Sequence, residues 1–140
     1  MTSDGSETLS PEYYSATLID HFERPRNAGA MEDADVETFV TNPVCGDSLR
    51  LFLRFDRSQG ARIDAASFLS SGCPASIATS SIATEMLTGM LVDEAEVLTR
   101  EDFAEAVGGL PASKVHCSVL AAAAVRNALM EWRGRREGDA

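Results

Sequence analysis

The sequence predicts an α+β fold, with helices packed on one face of a small three-stranded antiparallel sheet. Three stretches, at residues 36–41, 48–55 and 62–68, alternate apolar and polar side chains as strands do, and short links join them. From Cys73 onward the apolar residues recur at helical spacing instead. A run of strands followed by a run of helices along the chain is typical of a fold in which helices cover one face of the sheet.

Length and composition favour one domain and argue against several functions. We place the domain at residues 11–133 of the 140-residue chain, with flexible tails at 1–10 and 134–140. A net charge of −10 argues against nucleic acid or an anionic membrane as partner. No stretch approaches the roughly 18 apolar residues of a membrane span, and the acidic start does not resemble a signal peptide. We therefore expect a cytoplasmic protein.

The first helix is predicted to begin at Ser10-Pro11-Glu12 and to end before Pro25. Serine is a good N-cap, proline is preorganised for the first helical position, and glutamate suits the positive end of the helix dipole. Tyr14, Leu18 and Phe22 then follow at helical spacing. Pro25 ends the helix because it disfavours the helical conformation of the residue before it.

The second strand shows the alternation most clearly. Apolar residues at positions 49, 51, 53 and 55 alternate with Ser48, Arg50, Phe52 and Arg54. A link at residues 42–47 leads into this strand, and a turn at Ser58-Gln59-Gly60 leads out of it. The three strands should therefore form a meander.

Helices are predicted for the rest of the chain. Pro74 suits the first position of a long helix. Shorter helices follow at residues 92–98 and 102–107, the second with Thr99 as its cap and Gly108-Gly109 as its stop. The last helix is expected at residues 114–133, with a buried stripe of residues three or four apart. That stripe consists of Val115, Val119, Ala122, Val125, Leu129 and Trp132.

All three cysteines are predicted at junctions between elements. Cys45 lies in the link between the first two strands, Cys73 between the third strand and a helix, and Cys117 in the first turn of the last helix. They are far apart in sequence, unlike the close pairs of a zinc ribbon, and their odd number does not suit a disulfide framework. Any shared site must be assembled by the fold.

Several features indicate that the cysteines could share a metal site. The positive end of a helix dipole would favour the thiolate form of Cys73 and Cys117. Asp47 and His116 add an oxygen and a nitrogen ligand in the same loops. Each residue also has an ordinary interpretation: a buried cysteine, a turn aspartate or a solvent-facing histidine. Only the coincidence of five candidate ligands in three loops favours a joint site.

Four motifs carry a resemblance to a known family. They are D-H-F-E-R-P-R-N at residues 20–27, N-P-V-C-G-D at 42–47, S-G-C-P-A-S-I-A-T-S-S-I-A-T-E at 71–85 and K-V-H-C-S-V-L-A at 114–121. In order and spacing they resemble the iron–sulfur cluster scaffold family of the IscU type, which is also the N-terminal domain of NifU. The resemblance implies the α+β fold and five ligands or near-ligands: Cys45, Asp47, Cys73, His116 and Cys117.

The resemblance also implies a function. Such a protein is a scaffold, not an enzyme: it assembles a 2Fe-2S cluster from iron and from sulfur supplied by a cysteine desulfurase, and then passes the cluster to apo-proteins. We expect Cys117 to accept the sulfur as a persulfide, a ferredoxin-like donor to reduce it, and Asp47 to keep the cluster labile. His116 or Asp47 would be the fourth ligand, and Zn²⁺ could occupy the same site as isolated.

Two departures from the family pattern bear on partners. The family's chaperone-binding motif L-P-P-V-K is replaced here by Leu110-Pro111-Ala112-Ser113-Lys114. This departure bears on binding of DnaK-like and J-protein chaperones. A frataxin-like protein is a further partner that the resemblance implies. Pro74 stands where relatives have glycine, which suits a helix start. The His116-Cys117 pair resembles the IscU type, because the zinc-dependent SufU relatives lack that histidine and carry an insertion before it.

Two other functions compete with the scaffold. In the first, Zn²⁺ occupies the same ligands and the protein only transfers sulfur or activates a desulfurase. In the second, Cys117 and His116 form a hydrolase pair. The hydrolase is disfavoured because adjacent residues on a helix point about 100° apart, so the base cannot easily serve its neighbour.

Overall fold

The structure is a computed structural model that describes residues 14–43, 46–59 and 61–139. Its regular elements, in chain order, are α1 (Ala16–Glu23), β1 (Val36–Thr41), β2 (Ser48–Asp56), β3 (Arg62–Ser71), α2 (Pro74–Leu87), α3 (Val92–Glu96), α4 (Arg100–Ala106) and α5 (His116–Asp139). Short 3₁₀ turns lie at Arg57–Gln59 and Ala112–Lys114. The three predicted strands and the helix after Cys73 are present.

The strands form one antiparallel sheet in the order β1-β2-β3. The register pairs Phe39 with Arg50 and Arg50 with Leu69, and these residues share one face of the sheet. Phe39 and Leu69 are exposed, whereas the leucines of β2 on the other face belong to the core with α2 and α5. The predicted sheet with helices on one face is confirmed.

The main core lies between the sheet and the two long helices. The indole of Trp132 stacks on the ring of Phe55, with 4.1 Å between the ring centroids. A second, smaller apolar cluster joins α1, α2 and α5 beside Cys117; its buried members are Tyr14, Leu18, Ala75, Ala78, Val107 and Cys117. This second cluster positions the thiol of Cys117 relative to the start of α2.

The first helix begins later than predicted. Ser10, Pro11 and Glu12 lie outside the described residues, but Tyr14 and Ser15 are not helical and Ser15 is the N-cap of α1. The Ser15 hydroxyl accepts a hydrogen bond from the Leu18 amide at 2.9 Å and donates one to the Val107 carbonyl. This contact ties the start of α1 to the end of α4, where Gly108 and Gly109 adopt positive φ.

The predicted stripe of α5 is wrong at its first two positions. Val115 and Val119 are 41% and 40% exposed, because Cys117 and Leu120 take the buried side at the helix start. The other four predicted residues are buried. A run of alanines at 121–124 explains the error, since alanines alone do not favour one face over another.

The last helix also begins and ends later than predicted. A 3₁₀ turn occupies Ala112–Lys114, and α5 continues past residue 133 to Asp139. Arg133 forms ion pairs with Asp93 at 2.6 Å and Glu96 at 2.5 Å, and Arg135 donates to the Asp35 carbonyl. These contacts hold the helix beyond its predicted end. The domain limits and the flexible tails stay predictions.

None of the helices in the described part of the chain is both long and apolar enough to span a membrane.

Candidate metal centre

Four potential metal ligands meet at one end of the sheet. One ligand atom from each of Asp47, Cys73, His116 and Cys117 lies within 4.8 Å of the others. Asp47 comes just before β2, Cys73 just before α2, and His116 and Cys117 begin α5. The structure thus brings together four of the five residues singled out in the sequence, while the fifth, Cys45, lies outside the described residues.

The distances match the donors of one tetrahedral ion. The sulfurs of Cys73 and Cys117 are 3.8 Å apart, and the Cys73 sulfur is 3.7 Å from Asp47 Oδ2. His116 Nε2 lies 3.3 Å from the same carboxylate oxygen. Two sulfurs bound at about 2.3 Å to a tetrahedral ion lie about 3.8 Å apart. The site therefore needs little rearrangement to hold a single Fe²⁺ or Zn²⁺ ion.

The two cysteines reach the centre in different ways. Cys73 is the N-cap of α2 in an extended conformation, and its carbonyl accepts from the Ser76 and Ile77 amides. Its side chain makes no capping bond, so the sulfur is free to face the centre. Cys117 is 2% exposed in the small apolar cluster, whereas Cys73 is only partly buried. The centre thus has one accessible and one enclosed thiol.

Two glycines shape the backbone around Asp47. Gly46 has φ of +80°, which L side chains rarely adopt, and its amide donates to the Asn42 carbonyl to close the link. At Gly72, an added Cβ would stand 2.6 Å from the Cγ of Asp47. Gly72 is thus needed so that the backbone can pass against the Asp47 carboxylate.

Ser76 is a polar member of the site that was not predicted from the sequence. Its hydroxyl is 2.5 Å from Asp47 Oδ2 and 3.2 Å from the Cys117 sulfur, and the residue is 2% exposed. The signal was its spacing: residues three apart in a helix share a face, so Ser76 follows Cys73 toward the same centre.

The two thiols favour different protonation states. The hydrogen bond with Cys117 lowers the pKa of the Cys73 thiol to about 5, although burial opposes this. The same contact, together with burial, raises the pKa of the Cys117 thiol. The sequence predicted a lowered pKa for both thiols, because each lies at a helix start. At Cys117, burial and the contact with Cys73 raise the pKa instead. In the metal-free protein Cys73 is therefore the thiolate of the pair.

Asp47 is ionised despite its burial. Burial alone would raise the pKa of this carboxyl group, but hydrogen bonds with Ser76 and His116 lower it below its usual value. The centre therefore combines a carboxylate, a thiolate, a thiol and an imidazole. Such a mixed set suits borderline divalent ions such as Fe²⁺ and Zn²⁺.

Fold and site together define a small α+β domain with a candidate metal centre of one aspartate, one histidine and two cysteines. Residues 13–139 match the model of the family described as the NifU-like N-terminal domain. The chain belongs to this family.

Relatives of known name agree with this assignment. "Iron-sulfur cluster assembly scaffold protein IscU 1" of Archaeoglobus fulgidus is 48% identical over 119 residues, which cover 85% of this chain and 76% of the relative. "Iron-sulfur cluster assembly scaffold protein IscU" of Escherichia coli K12 is 38% identical over 127 residues, 89% of this chain and 97% of the relative.

A solved structure supports the fold alone. The protein described as a putative iron-sulfur cluster assembly scaffold protein for the SUF system from Fervidobacterium islandicum superposes with a TM-score of 0.68. It is 22% identical, and the match covers 86% of this chain and 98% of that chain.

We predict that iodoacetamide modifies Cys73 before Cys117 in the metal-free protein, because the thiolate is the reactive form. With a pKa of about 5, Cys73 is already ionised near pH 6, so its rate should change little up to about pH 8. An ordinary thiol, with a pKa of about 8.5, would react roughly ten times faster with each pH unit over this range. Peptide mapping by mass spectrometry measures both rates, and faster modification of Cys117 would contradict the prediction.

Proposed function

We propose that this protein is a scaffold on which an iron–sulfur cluster is assembled and from which it is passed to apo-proteins. The observation that carries the proposal is the convergence of Asp47, Cys73, His116 and Cys117 at one end of a NifU-like fold. Relatives that cover most of the chain are named as assembly scaffolds, not as enzymes. On this view the cluster is cargo, and the protein holds and releases it.

The cargo we propose is a 2Fe-2S cluster. Cys73 and Cys117 supply two thiolate ligands, and the family resemblance adds Cys45 as the third. His116 or Asp47 supplies the fourth, since both lie in the centre and both can bind iron. Zn²⁺ suits the same donors, so zinc in a purified sample is compatible with the scaffold.

Asp47 is proposed to keep the cluster exchangeable. A carboxylate is a hard ligand and holds a thiophilic metal less firmly than a thiolate does. The carboxylate is only 7% exposed and lies beside both sulfurs, so it is placed to compete with them for iron. A centre with one such weak ligand would release its cargo more readily than one with four thiolates.

Cys117 is proposed as the acceptor of sulfur from a cysteine desulfurase. Its thiolate would attack the outer sulfur of the enzyme's persulfide, so that a new S–S bond forms on Cys117 and the enzyme cysteine leaves as a thiolate. Two electrons from a ferredoxin-like donor would then reduce the Cys117 persulfide to sulfide and thiolate. The choice of Cys117 rests on its place at the start of α5, since its own side chain is only 2% exposed. Cys73 is the rival acceptor because it is the thiolate in the metal-free centre.

Other partners follow from the scaffold role. Cysteine desulfurase and apo-protein acceptors are implied for any such scaffold. We also propose a frataxin-like protein as partner, and place the protein in the cytoplasm. We also propose binding of DnaK-like and J-protein chaperones, although residues 110–114 depart from the family motif.

The zinc-bound sulfur-transfer protein is not favoured. It would use the same ligands, but the relatives at 38% and 48% identity are named as cluster scaffolds. His116, which the zinc-dependent relatives lack, lies in the centre at 3.3 Å from Asp47.

The scaffold function is tested by anaerobic reconstitution with Fe²⁺ and sulfide, followed by transfer to an apo-ferredoxin. We expect visible absorption and Mössbauer spectra of a 2Fe-2S cluster, and appearance of holo-ferredoxin. Replacing Cys45, Cys73 or Cys117 singly by serine should abolish the stable cluster while circular dichroism stays unchanged, because each change removes a thiolate ligand. Failure of the wild type to form a transferable cluster, with sulfur transfer intact, would favour the zinc-bound alternative.

For sulfur delivery, we predict that a desulfurase and cysteine add the mass of one sulfur to metal-free wild type and to Cys73→Ser, but not to Cys117→Ser. The physical reason is that only a thiol at position 117 provides the nucleophile of the proposed step. Intact-protein mass spectrometry under anaerobic conditions measures the adduct. Persulfide on Cys117→Ser, mapped to Cys73, would move the acceptor role to Cys73.

For cargo release, we predict that Asp47→Ala forms the cluster normally, keeps it longer in air and transfers it more slowly, because no carboxylate then competes with the thiolates for iron. The half-life in air and the rate of transfer to apo-ferredoxin are the measurements. The melting temperature of the apo-protein is the control, because removal of an ordinary turn contact costs about 1 kcal/mol and leaves transfer unchanged. Unchanged transfer with a lowered apo melting temperature would restrict Asp47 to a turn.

A further inference from the structure

Ser76 stands in an unusual place for a serine in a helix. It lies in the first turn of α2, is almost fully buried, and directs its hydroxyl into the metal centre. We propose that Ser76 is a positioning residue that holds the Asp47 carboxylate toward the sulfurs of Cys73 and Cys117, and so sets how firmly the centre binds a metal ion. The inference rests on the proposed function and concerns a single bound ion, for which the Asp47 carboxylate adds a ligand; the lability proposed for Asp47 concerns release of the assembled cluster.

One oxygen of Asp47 makes every contact with the centre. Oδ2 lies 2.5 Å from the Ser76 hydroxyl, 3.3 Å from His116 Nε2 and 3.7 Å from the Cys73 sulfur. A carboxylate oxygen has two lone-pair directions, so Oδ2 can accept from Ser76 and still bind an ion. The Ser76 contact is the shortest of the three, and it comes from a residue that is not itself a candidate ligand.

The backbone of Asp47 is held, since its carbonyl accepts from the Asn42 amide at 2.8 Å, but the direction of its carboxylate is set by side-chain contacts. The residue lies in the link before β2, directly after the positive-φ Gly46. The Gly72 backbone passes close to the carboxylate but offers no side chain to hydrogen-bond to it. His116 would be occupied by the ion itself in a loaded centre. Ser76 is then the one described side chain outside the ligand set that hydrogen-bonds to this carboxylate.

Other buried hydroxyls of α2 behave differently. Thr79 donates to the Ala75 carbonyl at 2.7 Å, and Ser80 donates to the Ser76 carbonyl at 2.8 Å. Such bonds to the preceding helical turn are the usual way in which serine and threonine are satisfied inside a helix. Ser76 turns instead toward a carboxylate and a sulfur, which indicates a role in the centre and makes Ser80 a matched control.

Ser76 also connects the carboxylate to α5. Its oxygen is 3.2 Å from the Cys117 sulfur, within hydrogen-bond distance for a sulfur atom. The hydroxyl has one proton and can donate it to only one of these two acceptors at a time. Ser76 thus touches one candidate ligand from the link before β2 and one from the start of α5.

The test uses Co²⁺ as probe, because its visible spectrum reports thiolate binding and needs no cluster. Ser76→Ala should weaken Co²⁺ binding, measured against a chromophoric chelator, by about 10- to 100-fold, the usual effect of removing a partner that orients a ligand. Ser80→Ala removes an equally buried hydroxyl from the same helix and should leave the affinity unchanged. Ser76→Thr retains the hydroxyl and should restore most of the affinity.

A double variant identifies the route of the effect. If Ser76 acts through Asp47, then Ser76→Ala should weaken Co²⁺ binding little further in an Asp47→Ala background. Equal losses in both backgrounds, or wild-type affinity in Ser76→Ala, would overturn the proposal. An equal loss of affinity in Ser80→Ala would also overturn the proposal, since it would indicate a general effect on α2. Melting temperatures of the apo-proteins would reveal the same general effect. Co²⁺ affinity involves no cluster transfer. The measurement therefore tests the role of Ser76 even if the protein fails to assemble or transfer a cluster.

Discussion

The register between β2 and β3 is the constraint on which the centre depends. Ser48 pairs with Ser71, so the residues just beyond this pair, Asp47 and Gly72, are forced together at the end of the sheet. Cys73 is next in the chain and begins α2 at the same place. A shift of one residue would turn the β2 leucines away from the core and move Asp47 from the sulfur, so core burial and site geometry are fixed by the same pairing.

The other half of the centre is fixed by packing. His116 and Cys117 begin α5, which is held along its length by buried residues up to Trp132 and by the ion pairs of Arg133. The small cluster around Leu18 and Val107 encloses the Cys117 thiol. Every described ligand therefore lies at the end of an element whose far part is anchored in a core. Such an arrangement keeps donor positions defined without placing charged groups in the middle of the core.

The sequence predicted the sheet well because its alternation is strong, and β1 has the predicted bounds. Local competition caused the errors: Ser10 and Ser15 can both cap a helix, and the alanines of α5 favour no single face. The candidate ligands were singled out by their chemistry and by family motifs, and the structure brings four of the five together. The contact between Ser76 and Asp47 could not be predicted, because the two residues meet only through strand pairing. The raised pKa of the Cys117 thiol could not be predicted either, because it depends on burial and on a neighbouring thiol.

The ligands come from distant parts of the chain, with Asp47, Cys73 and Cys117 each on a different segment. An ion bound to all three would join these segments as a reversible cross-link, which the unfolded chain cannot form with the same geometry. Anything that binds only the folded state shifts the folding equilibrium in its favour, in proportion to the logarithm of its free concentration. Binding of such an ion would therefore raise the thermal stability of this protein.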